Sequence, residues 1–168
     1  MRGWHLYVYI AFFLAIAILF QGLRFFLPML PGPVNLFLIG SLVNMVLVLA
    51  VRLTQSGWAA SIGVVLPFVA LLQGHLPLAV LLPVVGAGNV LYALLAGWLW
   101  ERPVLWGVPF CKAALLYGGT RLVIAGLCLT GPAAEAVSFM MSWPQIFTGV
   151  MGIVLAKALL HRLRPSSF

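Results

Sequence analysis

The chain has 168 residues, of which 64% are hydrophobic and only 7% are charged, and its formal net charge is +7. A soluble domain carries about 25% charged residues, and a chain of this length leaves much of its folded surface exposed. The composition therefore excludes a water-soluble globular protein and predicts an all-α integral membrane protein. Because the basic residues are scattered singly near the ends of apolar segments, the charge indicates membrane orientation and not nucleic-acid binding.

Six apolar segments follow one another along the chain, separated by Pro, Gly and charged residues. About 20 apolar residues span the hydrocarbon core of a bilayer, so each segment is predicted to be a transmembrane helix, the third being the shortest. Their bounds are residues 4–27, 34–53, 58–72, 78–100, 104–129 and 139–163. We expect residues 1–168 to form a single transmembrane domain, a compact bundle of these six helices.

The arginines predict the orientation of the bundle. With six crossings, one side of the membrane receives five of them, namely Arg2, Arg52, Arg102, Arg162 and Arg164. The connections on the opposite side contain Arg24, His75 and Glu135. By the positive-inside rule both termini are cytoplasmic, as expected for a multi-pass protein of a prokaryotic plasma membrane.

The outer connections contain large apolar side chains as well as Pro and Gly. They read "PMLPGPVN", "LLQGHLPL" and "TGPAAEAVSFMMSWPQ". Loops that face only water are usually more polar, and loops often carry binding residues. These three connections are therefore predicted to pack down as lids over a binding site.

Two cations lie within the fifth segment, "FCKAALLYGGTRLVIAGLCL". An ionisable residue at membrane depth faces the interior of the bundle or a cavity, and is by default a functional candidate. Lys112 lies about 12 Å and Arg121 about 25 Å along this helix. Their nine-residue separation places them on roughly opposite faces, at about 100° per residue. Arg121 is therefore near the outer interface, whereas Lys112 is deeper.

Asn89 on the fourth segment lies about 16 Å from its cytoplasmic end, close to the depth of Lys112. Two interpretations remain open: an Asn89–Lys112 clamp between neighbouring helices, or direct contact of both residues with a ligand. The chain has only two carboxylates, Glu101 and Glu135, and both lie at segment ends. Lys112 thus lacks an evident counter-ion in the sequence, which favours an anionic ligand.

Further polar and aromatic residues converge on the outer side, although each alone is typical of an interfacial anchor. With Lys112 and Asn89, the predicted substrate-binding residues are Arg121, His75, Gln73, Asn35, Trp143, Gln145 and Tyr117. The basic residues favour an anionic substrate, and an aromatic content of 12% favours a flat or apolar body. His75 lies across the membrane from His5 and His161, so no histidine pair forms, and no metal or cofactor site is predicted in this chain.

Ala11 and Ala15 lie one helical turn apart in "AFFLA" on the first segment. Small residues at this spacing allow another helix to approach closely. With this motif, the six helices and the apolar outer loops, the whole chain resembles the substrate-binding S component of an energy-coupling factor (ECF) transporter. The runs "GPVNLFLIGSLVN", "GVVLPFVALLQGHLPLAVLLPVVGAGNVLYAL", "KAALLYGGTR" and "SWPQIFTGVMG" are also similar to S-component sequences.

The resemblance implies capture of a vitamin or another scarce nutrient under the outer loops. It also implies docking through Ala11 and Ala15 onto a membrane coupling subunit, which two ATPase subunits drive with ATP. The alternative is a small self-assembling channel or secondary transporter, which needs a continuous polar stripe where this sequence has isolated polar residues. An enzyme is not expected, because the sequence contains no HExxH motif and no paired aspartates.

Overall fold

The computed structural model describes residues 3–163, and within them it shows an all-α bundle. This confirms the predicted fold class. The α-helices are α1 (Gly3–Phe26), α2 (Gly32–Thr54), α3 (Ile62–Leu72), α4 (Leu82–Trp98), α5 (Val108–Gly126), α6 (Pro132–Met140) and α7 (Trp143–Leu163). Short 3-10 helices precede α3, α4 and α5, at Gly57–Ser61, Ala79–Leu81 and Pro103–Gly107. Arg2 and Arg164, which entered the orientation argument, lie outside the described residues.

Five helical stretches of the described chain are long and apolar enough to cross a membrane. The remaining apolar stretch, Gly57–Leu72, is shorter than the roughly 20 residues that span the hydrocarbon core. It contains Pro67 within α3. The third predicted segment is therefore the one apolar helical stretch of the described chain that is shorter than a membrane span.

The helices alternate in direction, which gives the bundle two distinct ends. The connections α1–α2, α3–α4 and α5–α7 share what we call the lid end, where the Phe25 and His75 rings lie 5.4 Å apart. The other connections and the end of α7 share the basic end, where Arg52 Nη2 lies 3.5 Å from Glu101 Oε1. The first and last described residues thus lie at the same end, and its cytoplasmic location remains a prediction.

The third connection of the lid end contains the helix α6, which the sequence analysis treated as part of a loop. Pro132 occupies its first turn, where a missing N–H has no consequence. Glu135 lies in the same turn and complements the positive end of the helix dipole. Several alanines favour the helical conformation. The lid is therefore a short helix joined to α7 through Met141 and Ser142.

The centre of the bundle is α2, which packs against α1, α4 and α7, its contact with α7 being the most extensive of the structure. A continuous stretch from Val46 to Val51 is buried on every side, as expected for a central helix. Gly152 of α7 allows the closest approach, because a Cβ there would lie 2.6 Å from the Asn44 Cβ and 3.0 Å from its carbonyl carbon. The backbones of α2 and α7 therefore meet beside Asn44.

We expect Gly152→Ala to destabilise the bundle by about 1–3 kcal/mol, because the added methyl group overpacks the α2–α7 contact. The matched control is Gly118→Ala in α5, where a Cβ meets nothing within 4 Å. It should leave stability unchanged or raise it by about 0.5–1 kcal/mol through helix propensity. Thermal unfolding of the purified proteins in detergent measures both. Equal melting temperatures for Gly152→Ala and the wild type would contradict the close packing.

Candidate functional site

A cavity of about 130 Å³ lies between the helices at the lid end. Among the described residues, its lining includes cationic and amide side chains but no carboxylate. The polar and charged lining residues are Gln21, Arg24, Asn44, His75, Asn89, Lys112 and Gln145. Apolar side chains complete the wall, with Leu76, Met140 and Met141 contributed by the lid connections. Five long helices therefore border the cavity, and residues of the lid connections form part of its wall.

Lys112 is buried, with 3% of its surface exposed, and its side chain forms part of the cavity wall. Its Nζ donates a hydrogen bond of 2.7 Å to Asn44 Oδ1. Asn44 Nδ2 donates to Thr148 Oγ1 at 3.2 Å, and this hydroxyl donates to the Gln145 carbonyl at 3.3 Å. A chain of hydrogen bonds thus connects α5, α2 and α7 across the centre of the bundle.

The aromatic ring of Tyr92 provides the second stabilising contact of Lys112. The ammonium nitrogen lies 5.0 Å from the centre of this ring, within the range of a cation–π interaction. Tyr92 is completely buried, and its hydroxyl donates to the Gly149 carbonyl at 2.7 Å. Because an ammonium has three N–H donors and Asn44 accepts from one, Lys112 retains donors for a further partner.

The predicted Asn89–Lys112 clamp is replaced by the Asn44–Lys112 hydrogen bond. Asn89 Nδ2 instead donates to the Gly63 carbonyl at 3.5 Å, which connects α4 to α3. Asn89 and Lys112 nevertheless line the same cavity. Within the described residues the one ion pair is Arg52–Glu101, at the opposite end, so no carboxylate neutralises Lys112.

Arg24 and His75 line the side of the cavity near the lid. Burial, and secondarily the positive charge of Arg24, lowers the pKa of His75 below its ordinary value. The imidazole is therefore neutral at pH 7, and Arg24 supplies the permanent positive charge on this side of the cavity. Gln21 also lines the cavity, and its buried Oε1 has no hydrogen-bond partner among the described residues.

Four of the nine predicted substrate-binding residues line the cavity, namely Lys112, Asn89, His75 and Gln145. Gln145 also connects the lid to α7, because its Nε2 donates to the Met140 carbonyl at 3.0 Å. The cavity therefore gathers residues from three of the predicted helices and from one outer connection.

The other five predicted residues lie outside the cavity lining. Asn35 donates to the Leu27 and Leu30 carbonyls and so braces the first connection. Trp143 stacks near Phe37, with ring centres 5.6 Å apart. The remaining three are Gln73, which is half-buried just after α3, and Tyr117 and Arg121, which are exposed on α5. Arg121 indeed lies on a different face from Lys112, as the spacing predicted.

The sequence analysis missed Asn44, Thr148 and Tyr92. Asn44 lies in the middle of an apolar run, "GSLVNMVLVLA", and the reasoning applied to Asn89 would have identified it. Thr148 and Tyr92 give no comparable signal, because both residue types occur widely in membrane helices without a polar role. Their partners become evident only when α4, α5 and α7 are packed around α2.

Comparison with protein-family models, with curated proteins and with solved structures finds no match to this chain. Within residues 3–163, the acidic residues, histidines and cysteines form no group of three that could hold a metal ion. The cavity is lined by cationic and amide side chains, and these determine which ligands it can bind.

We expect Asn44→Ala to destabilise the protein by about 1.5–3 kcal/mol, because it removes the acceptor of a charged hydrogen-bond donor. In a Lys112→Met background the same substitution should have a smaller effect, since no buried ammonium remains. Chemical unfolding in detergent of the wild type, both single variants and the double variant gives the coupling energy. Strictly additive effects would contradict a direct Asn44–Lys112 interaction.

Proposed function

We propose that this chain is the substrate-binding S component of an ECF-type importer in a prokaryotic plasma membrane. It captures a small anionic nutrient at the lid end and delivers it inwards through a membrane coupling subunit driven by two ATPases. The observation that carries the proposal is the lid-covered cavity, in which Lys112 is buried without a carboxylate partner. The resemblance of the sequence to S components supplies the transport class.

The charge of the cavity favours an anionic substrate. Arg24 and Lys112 are both lining residues, and the described lining contains no acidic side chain. A carboxylate or phosphate in the cavity gains charge-assisted hydrogen bonds, which are roughly twice as strong as neutral ones. The unpaired Oε1 of Gln21 accepts a hydrogen bond from an N–H or O–H group. The proposed substrate therefore carries an anionic group together with a hydrogen-bond donor.

The size of the cavity implies that the lid moves. Its volume of about 130 Å³ is smaller than the roughly 300–1,000 Å³ of sites for drug-sized ligands. Met140 and Met141 line the cavity from the end of α6, and methionine side chains adapt readily to a ligand. Gly131 immediately precedes α6 and has a φ of 80°, a conformation that favours glycine. We propose that α6 swings about this residue when the substrate enters.

The outer face of α1 supports docking to a coupling subunit. Ala11 and Ala15 are exposed, whereas Phe13 and Ala17 are buried on the opposite face. In the most apolar part of α1 only 11% of the residues are buried, whereas in the corresponding part of α2 50% are buried. Two small residues one turn apart on an exposed helix face permit close helix–helix approach in a membrane.

The interior below the cavity favours the S component over the alternative, a channel or secondary transporter. Beyond Lys112 and Tyr92 the core is apolar, with Leu47, Val48 and Ile153 fully buried. A conducting path needs polar or water-filled lining along its length. Of the buried polar side chains, Asn44, Asn89 and Lys112 instead line one cavity near the lid end.

The substrate is identified by mass spectrometry of the small molecules that co-purify with the protein, and we expect an anion. Asn44→Asp should weaken its binding at least about tenfold, equivalent to 1.4 kcal/mol, because the new carboxylate pairs with Lys112 while the fold is kept. Lys112→Gln should weaken binding similarly. The matched control, Arg121→Gln, removes a cation from the same helix outside the cavity and should bind normally. A neutral or cationic ligand, or unchanged binding by Asn44→Asp, would refute the charge argument.

Docking is tested by pull-down with a coupling subunit and its two ATPases. Ala11→Trp and Ala15→Trp should reduce capture and uptake at least about tenfold, because a bulky side chain prevents close helix approach. Ala114→Trp, at an exposed alanine of α5, is the matched control and should be captured normally. Substrate binding by the isolated chain should be unaffected in all three variants. Normal capture of both α1 variants would remove the proposed mechanism.

A further inference from the structure

A second concave site, the basic groove, lies at the end of the bundle opposite the cavity. It is an open cleft of about 460 Å³ between the ends of α2, α4 and α7. Its polar and charged lining residues are Arg52, Glu101, Lys157 and His161, and Trp100 forms part of its wall. Two permanent cations and a histidine therefore face a single carboxylate.

Lys157 is held in the basic groove by aromatic rings. Its Nζ lies 5.3 Å from the centre of the Trp100 ring and 5.5 Å from that of Trp106. Neither contact neutralises the charge, and the ion pair of the described residues does not include Lys157. The ammonium is thus positioned by two indoles and keeps its positive charge available to an anion.

Arg52 is only weakly paired. The 3.5 Å between its Nη2 and Glu101 Oε1 exceeds the roughly 2.7–2.9 Å of a strong charge-assisted hydrogen bond. Glu101 is largely exposed, with 74% of its side-chain surface accessible. The guanidinium also lies over Trp100, 5.3 Å from the ring centre. Arg52 and Lys157 therefore lie against the same indole, which brings two cations to one wall of the basic groove.

The tryptophans mark the level of the lipid headgroups at this end of the bundle. Five of the six in the sequence lie there, on four different segments: Trp4, Trp58, Trp98, Trp100 and Trp106. Tryptophan is enriched where a protein crosses the membrane–water interface. The cations of the basic groove thus lie at the depth of lipid phosphates. The predicted orientation places this end in the cytoplasmic leaflet, whose surface is negative.

We propose that the basic groove binds an anionic phospholipid, with the lipid phosphate between Arg52 and Lys157. Basic pockets between helices on the cytoplasmic side of membrane proteins are suited to such headgroups. The exposed indole of Trp106 contacts the glycerol and upper acyl region, where amphipathic rings are stable, and the buried Trp100 backs the two cations. This site is separate from the lid-end cavity, and it does not depend on the proposed transport function.

Native mass spectrometry of the full chain tests the proposal. The protein is released from detergent containing equal amounts of phosphatidylglycerol and phosphatidylcholine with identical acyl chains. We expect at least about threefold more phosphatidylglycerol adduct, because only this lipid has a net negative headgroup. Soluble glycerol phosphate should not compete at equimolar concentration if the membrane lipid is the ligand, whereas effective competition would show a site for free phosphate esters and overturn the lipid assignment.

Variants assign the binding to the basic groove. Lys157→Gln and Arg52→Gln should each remove the preference for phosphatidylglycerol, and Lys157→Arg should keep it. The matched control is Arg102→Gln, which removes a cation from the same end of the bundle; Arg102 lies 5.9 Å from the Trp98 ring centre, outside the groove. Equal loss in Arg102→Gln and Lys157→Gln would show a diffuse charge effect and refute the site. The site would also be refuted if Lys157→Gln impaired capture by a coupling module but left the preference for phosphatidylglycerol intact.

Discussion

The contact between Lys112 and Asn44 constrains the rest of the bundle. A lysine within a membrane helix opposes insertion by up to about 2.5–3.5 kcal/mol, and Lys112 is buried, so its side chain needs polar partners inside the bundle. The structure supplies an amide oxygen at 2.7 Å and the face of Tyr92. These two partners come from α2 and α4, and Asn44 in turn bonds to Thr148 on α7. Four helices are thereby fixed in relative position, and Gly152 permits the close α2–α7 approach that the network needs.

A structural role for Lys112 and a role in binding are compatible. Asn44 is a neutral acceptor, so it holds the ammonium in place without cancelling its charge. A carboxylate in that position would stabilise the bundle but would cancel the charge that Lys112 offers to an anion. The amide at Asn44 leaves that charge available beside the charge of Arg24, which lines the same cavity. Hydrogen bonds between membrane helices are modest in strength. The network therefore matters chiefly because it holds the side chain of Lys112 in the cavity wall.

The fold was predictable from the apolar segments, because each segment is bounded by Pro, Gly or charged residues and backbone hydrogen bonding in lipid requires helices. The site was predictable in part. Lys112 and Asn89 were identified because polar residues in apolar runs are conspicuous, but their partners depend on how helices distant in sequence pack. The bond between Asn44 and Lys112 joins residues 68 positions apart. The exposure of Tyr117 and Arg121 likewise follows from the rotation of α5, which is set by its packing.

The interior also constrains how a substrate can leave. The polar network ends at Tyr92, whose hydroxyl is used by the Gly149 carbonyl, and the core beyond it is filled by apolar side chains such as Leu47 and Ile153. A molecule bound beside Lys112 has no polar route to the basic end through the described residues. Release inwards would therefore require the bundle to change its orientation or packing. That requirement is met in the proposed importer by ATPases acting through a coupling subunit, and α1, with Ala11 and Ala15 exposed, is the helix left free to receive it.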